Sequence, residues 1–197
     1  MGFLSNLFSS KPSLDGGIRA LALAIWESLP TLGNKIRNEV YKTDQELTVA
    51  ADREIYSAFI HFVSRVALHT GGGKFQDAIY GSLRDKITET YGVTFSKYLK
   101  MSQGRDVSPY AVQQELGGLV RDREIEYAGY SGGYGDENTR KDSLVWAIAG
   151  NIHKVSGVKV MDDDAAVLGI GNAFVLVLAE INLDGRLKFL ETNFYKK

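Results

Sequence analysis

The side chains best suited to chemistry lie along one stretch. Ser57, His61, Ser64, Arg65 and His69 recur at intervals of three, four and eight residues. On a helix that spacing makes a narrow polar stripe, with His69 less well aligned. The residues around it are apolar, among them Ile55, Phe59, Ile60, Phe62, Val63 and Val66. Facing water, the stripe is the ordinary exposed edge of a bundle helix. Facing inward, Arg65 needs a partner and His61 can sit in a pocket and titrate near neutrality. Asp85 and Glu89 on the next helical stretch are the candidate partners. Ser57, His61, Arg65 and His69 are therefore the candidate ligand-binding set.

A second candidate surface is rich in tyrosine. Tyr127, Tyr130 and Tyr134 lie in and beside the loop GYSGGYGDEN, residues 129–138. Tyr supplies contact area at low entropic cost, and Gly and Ser adapt around it. The competing expectation is that Tyr127 and Tyr130 pack on the bundle.

Other motifs fail on their surroundings. Gly129–Gly133 matches G-x-S-x-G, but the residues after it cannot start the apolar helix that a nucleophile elbow requires. Gly71-Gly72-Gly73-Lys74 lacks both the first glycine and the final Ser or Thr of a P-loop. Gly169-Ile170-Gly171 lacks the third glycine of a dinucleotide fingerprint, because Phe174 takes its place. Each His is preceded at three residues by Ala58, Val66 or Gly150, so no Glu-x-x-His pair exists for a di-iron site. Consecutive carboxylates at Asp162–Asp164 point in different directions on a regular backbone and suit a helix start better than a cation. The absence of cysteine removes thiolate chemistry, disulfides and cysteine-bound metal centres. No catalytic residue, metal or cofactor is expected.

These side chains must be positioned by helices. Thr43-Asp44-Gln45-Glu46 reads as a capping box opening a central helix over about residues 44–70, stopped by Gly71-Gly72-Gly73. Ser13 caps a helix over residues 14–29, ended by Pro30 and Gly33. Further helices fit 75–90, a short piece at 95–101, 109–127 after the cap Ser108, and one carrying Leu144–Ile152 capped by Thr139. The last forty residues read differently. Val158-Lys159-Val160 suits a strand. Residues 174–183 and 186–195, joined by Asp184-Gly185, suit a hairpin with a type I′ turn. Leu176, Leu183, Leu187, Leu190 and Phe194 also fall near one helical face, which leaves an all-α fold as the alternative. The expected fold is mainly α: a bundle at 13–157, an apolar segment at 1–12 and a C-terminal hairpin at 158–197.

Composition narrows the function. The chain has 197 residues, 23 Lys+Arg against 24 Asp+Glu, and a formal net charge of −1. Counted by thirds, the basic and acidic residues are seven and seven over 1–70, eight and eight over 71–130, and eight and nine over 131–197. No segment has the positive surplus that nucleic-acid binding requires. The longest apolar run, 165–183, carries Asn172, Glu180 and Asn182, which suits a non-membrane element better than a span. Phe3, Leu4, Leu7 and Phe8 share a helical face but lack the basic n-region of a signal peptide. The leading expectation is a cytoplasmic, non-enzymatic interaction or adaptor module, bound to another protein or to itself. The alternatives are a small-ligand binder or helical enzyme using the polar stripe, and a peripheral protein making weak membrane-surface contact through residues 1–8.

Overall fold

The computed structural model describes residues 13–130 and 140–195, and every regular element among them is helical. Helix α1 (Leu14–Lys35) starts where Ser13 accepts a hydrogen bond from the Gly16 amide at 3.0 Å. It does not stop at Pro30 or Gly33. It continues into a π-helical turn (Ile36–Tyr41) and ends at Lys42, whose φ is 53°. Leu32 and Ile36 are fully buried and extend the stripe of Ile18, Leu21 and Ile25. Packing of that stripe outweighs the one backbone hydrogen bond that Pro30 removes.

Helix α2 (Val49–Gln103) contains one residue outside helical space, Gly72, at φ 74° and ψ −178°. Only glycine adopts that conformation readily. The chain reverses there, giving two arms, α2a (49–71) and α2b (73–103). The reversal is required by contacts. An unbroken helix would put residues 53 and 91 about 57 Å apart, yet Arg53 Nε donates to the Tyr91 hydroxyl at 3.1 Å. The glycine stop expected from sequence is thus a hairpin of helices. Its start lies later than the capping box suggested. Thr48 is the cap and accepts from the Ala51 amide at 3.1 Å. Thr43 instead accepts from the Gln45 amide, and Glu46 pairs with Arg37.

Arm α2b runs unbroken through Gly92, where two shorter helices were expected. A Cβ at Gly92 would lie 2.5 Å from the Pro109 carbonyl oxygen and 3.1 Å from Gln113 Cβ. This glycine marks the close approach of α3 (Pro109–Tyr127) rather than a helix end. Helix α4 (Leu144–Val155) is capped by Ser143, which accepts from the Trp146 amide at 3.2 Å. Thr139, the expected cap, lies outside the described residues.

The C-terminal hairpin is not formed, and neither is the strand at Val158–Val160. Residues 163–180 and 183–194 are helices α5 (Asp163–Glu180) and α6 (Leu183–Phe194). Asp162 caps α5 by accepting from the Ala165 amide at 3.0 Å. The bend falls at Asn182, at φ 51°, not at Asp184-Gly185. Asp184 and Gly185 occupy the first turn of α6, where an acidic residue is favourable. The helical stripes decide the outcome. Ala166, Ile170, Ala173, Phe174 and Val177 bury one face of α5, and Leu183, Leu187 and Leu190 bury one face of α6. A strand would have sent half of them to solvent. Among the described residues, no single helix is long and apolar enough to cross a membrane.

The arms surround one axis. Residues 54–61 of α2a are all buried. Trp26 of α1 meets Tyr56, Phe174 of α5 meets Phe59 at 4.9 Å between ring centroids, and Phe194 of α6 meets Phe75 at the base of α2b at 5.6 Å.

Gly72→Ala should lower stability by about 1–3 kcal/mol, because a Cβ does not suit that backbone conformation. Gly73→Ala, in helical conformation with open space around it, should be neutral or gain up to about 1 kcal/mol. Urea denaturation of the two variants beside the parent checks both values. Equal stability of the two would show that the reversal does not depend on Gly72.

Candidate functional site

The polar stripe of α2a turns inward along most of its length. Ser57 and His61 are buried, Arg65 is half-buried and His69 is exposed. His61 Nε2 lies 2.8 Å from the Val120 carbonyl oxygen of α3. A carbonyl only accepts, so Nε2 carries the proton. The ring packs edge-on to Tyr127 at 5.3 Å and beside Tyr80 at 6.0 Å. Burial holds the imidazole pKa below its ordinary value, against the hydrogen bond to Val120. Arg65 Nη2 donates to the Tyr127 carbonyl at 3.2 Å. The candidate partners lie elsewhere: Asp85 accepts from Arg84, and Glu89 lines a cleft against α1. Ser57 Oγ is buried without a hydrogen-bond partner among the described residues.

The stripe also holds a group that was not singled out in the sequence. Glu54, one turn before Ser57, is buried and accepts two hydrogen bonds from Arg123 Nε, at 2.9 and 3.1 Å, and another from Nη2. Arg123 also donates to Glu126. Asn151 of α4 then bridges Glu126 Oε1 at 2.8 Å and the Tyr127 hydroxyl at 3.2 Å. Tyr80 donates to Glu124 at 3.0 Å. An acidic residue inside an apolar helical stretch was the available signal. Its partner, 69 residues away, had none.

The stripe and its network thus hold α2a against α2b, α3 and α4. Tyr127 belongs to this interior, with its hydroxyl pKa raised first by burial. Tyr130 is half-buried against the core, while Tyr134 lies outside the described residues. A second polar chain joins three elements. The Tyr41 hydroxyl lies 2.8 Å from His153 Nδ1, and His153 Nε2 lies 3.1 Å from Asp163 Oδ1. It couples the π turn to the end of α4 and the start of α5.

Open space lies elsewhere. One cleft, of 420 Å³, separates α1 from α2a and is lined by Trp26, Asn34, Arg37, Glu46, Asp52 and Tyr56 among others. A second, of 690 Å³, lies between α1 and α2b and is lined by Leu23, Trp26, Ile87 and Val93. A third, of 400 Å³, lies between the π turn and α5. None of the three is lined by Ser57, His61, Arg65 or His69. Asp52 is distinctive. The protein mass around its carboxyl group, and then the charge of Glu46, raise its pKa to about 6. Among the described residues, no group of three or more His, Asp and Glu side chains is arranged to hold a metal ion. Comparison with protein-family models, with curated proteins and with solved structures gave no match.

Two measurements probe the interior network. Arg123→Met should cost about 3 kcal/mol, because Glu54 is left charged and buried, and adding Glu54→Met should restore most of it. Denaturant titration showing the double variant no more stable than the single one would contradict the pairing. His61 is held neutral, so the unfolded chain takes up its proton first as pH falls below about 6.5. The stability contributed above that pH is therefore lost on acidification. His61→Gln should flatten the decline in stability between pH 7.5 and 5, measured against the parent.

Proposed function

We propose that this chain is a non-enzymatic interaction module whose contact surface is the end of the bundle formed by the α2b terminus and the start of α3. The observation that carries the reading is the exposure of three large side chains there. Tyr98 is 52% exposed, Met101 88% and Tyr110 68%. Tyr98 and Met101 are three residues apart on one helix, and five residues connect α2b to α3.

The surface is also partly rigid. Tyr98 stacks on Phe95 at 5.7 Å, and Phe95 stacks on Tyr91 at 5.3 Å. The Arg53 guanidinium lies 5.7 Å from the Phe95 ring centre and is tied to Glu115 at 2.5 Å. An aromatic side chain held before binding loses little rotamer freedom on association. Tyr, Met and Arg are the residues enriched at the centres of protein interfaces. The occupant is a protein surface, either a second copy or another chain.

Tyr98→Ser with Met101→Lys should leave the far-UV circular dichroism unchanged. The parent should show concentration-dependent mass by sedimentation velocity or retain a protein partner in affinity capture, and the variant should lose both by at least tenfold. A variant that associates as the parent does would remove the reading.

A further inference from the structure

The 420 Å³ cleft between α1 and α2a has the volume of a small-molecule site. Trp26 and Tyr56 face it as a joined aromatic wall, with ring centroids 5.2 Å apart. Leu29 and Ile55 add apolar surface. Three charged side chains line the cleft: Arg37, Glu46 and Asp52. Arg37 is engaged, donating to Glu46 and to Asn34 Oδ1 at 2.9 Å. Asp52 has neither a hydrogen-bond nor an ion-pair partner for its carboxylate among the described residues. The lining therefore carries one uncompensated negative charge, and it belongs to Asp52.

An anion entering this space meets Asp52. A neutral apolar molecule leaves the charge on that carboxylate uncompensated. A cation with an apolar body satisfies both. We propose that the cleft binds a small organic amine, its ammonium group paired with Asp52 and its apolar or aromatic part lying on Trp26 and Tyr56. Ammonium groups are attracted to the faces of Trp and Tyr within about 6 Å, which adds to the ion pair.

The site has a built-in pH dependence. The groups facing Asp52 are Glu46 from the connection before α2, Arg37 from the π turn, Tyr56 on its own helix and Tyr91 from α2b. Burial raises both tyrosine hydroxyls above their ordinary range, so they stay neutral. Asp52, raised to about 6 by the protein mass around it and by Glu46, changes charge between pH 7.5 and 5. Amine binding is complete above that pH and weakens as Asp52 takes up its proton below it.

The experiment titrates phenethylammonium into the full chain, with amide resonances of α1 and α2a as the readout. Phenylacetate and 3-phenylpropanol serve as anionic and neutral probes. Phenethylammonium should bind in preference to both, about tenfold more weakly at pH 5 than at pH 7.5 and at least tenfold more weakly to Asp52→Asn. Asp52 is exposed, so this variant should keep its fold, and a thermal melt checks it. If it does not fold, the pH series on the parent still decides. Equal affinity for the neutral alcohol, tighter binding of phenylacetate, no binding of the amine, or affinity indifferent to pH would each overturn the proposal.

Discussion

A helix whose middle turns are buried on every side must find a partner for each polar group there, and that constraint organises this molecule. Arm α2a presents Glu54, Ser57, His61 and Ser64 to its neighbours, each of them buried. Glu54 is met by Arg123, His61 by the Val120 carbonyl and Ser64 by Gln76, whose Nε2 donates at 3.0 Å. Those three partners come from α3 and α2b. The polar groups therefore select which helices lie against α2a and in what register, while the apolar groups supply most of the burial energy. Ser57 Oγ is the exception, an enclosed hydroxyl with no partner among the described residues.

The aromatic residues form a second line of continuity. Trp26, Tyr56, Tyr91, Phe95 and Tyr98 follow one another at centroid spacings of 5.2, 5.0, 5.3 and 5.7 Å. The line starts in the cleft beside α1, crosses α2a and runs down α2b to the exposed end of the bundle. Arg53 sits along it, with its guanidinium near the rings of Tyr91 and Phe95. Aromatic pairs at these distances add stability beyond the area they bury. The proposed amine site and the proposed contact surface are thus opposite ends of one packed row.

The C-terminal helices show how local and distant terms compete. Asp184-Gly185 is a strong hairpin signal when only neighbouring residues are considered. The stripe of Leu183, Leu187 and Leu190 favours a helix only if a surface exists to receive it. Helix α1 and the α2 hairpin provide that surface, with Phe194 against Phe75 and the Tyr195 hydroxyl donating to the Gly71 carbonyl at 2.6 Å. The Asp-Gly pair is then tolerated in the first helical turn, where its helix penalty is smallest.

Helix existence was readable along most of the chain, because caps and breakers act within a few residues. Ser13, Pro109, Asp162 and the Gly71–Gly73 run each marked a boundary close to where it falls. Finer limits were not readable. Thr43 and Thr48 offer similar caps, and only the bond from the Thr48 hydroxyl to the Val155 carbonyl of α4 separates them. The spacing of Ser57, His61 and Arg65 put them on one stripe, but the direction of that stripe depended on what packed over it. The partners of Glu54 and Tyr41 are 69 and 112 residues away, beyond the reach of any local pattern. Asp52 had no signal at all, since a carboxylate in the first turn of a helix is ordinary until α1 closes a cleft around it. Local chemistry chose helix and turn; the burial of one arm by all the others chose which side chains became interior, paired or left facing open space.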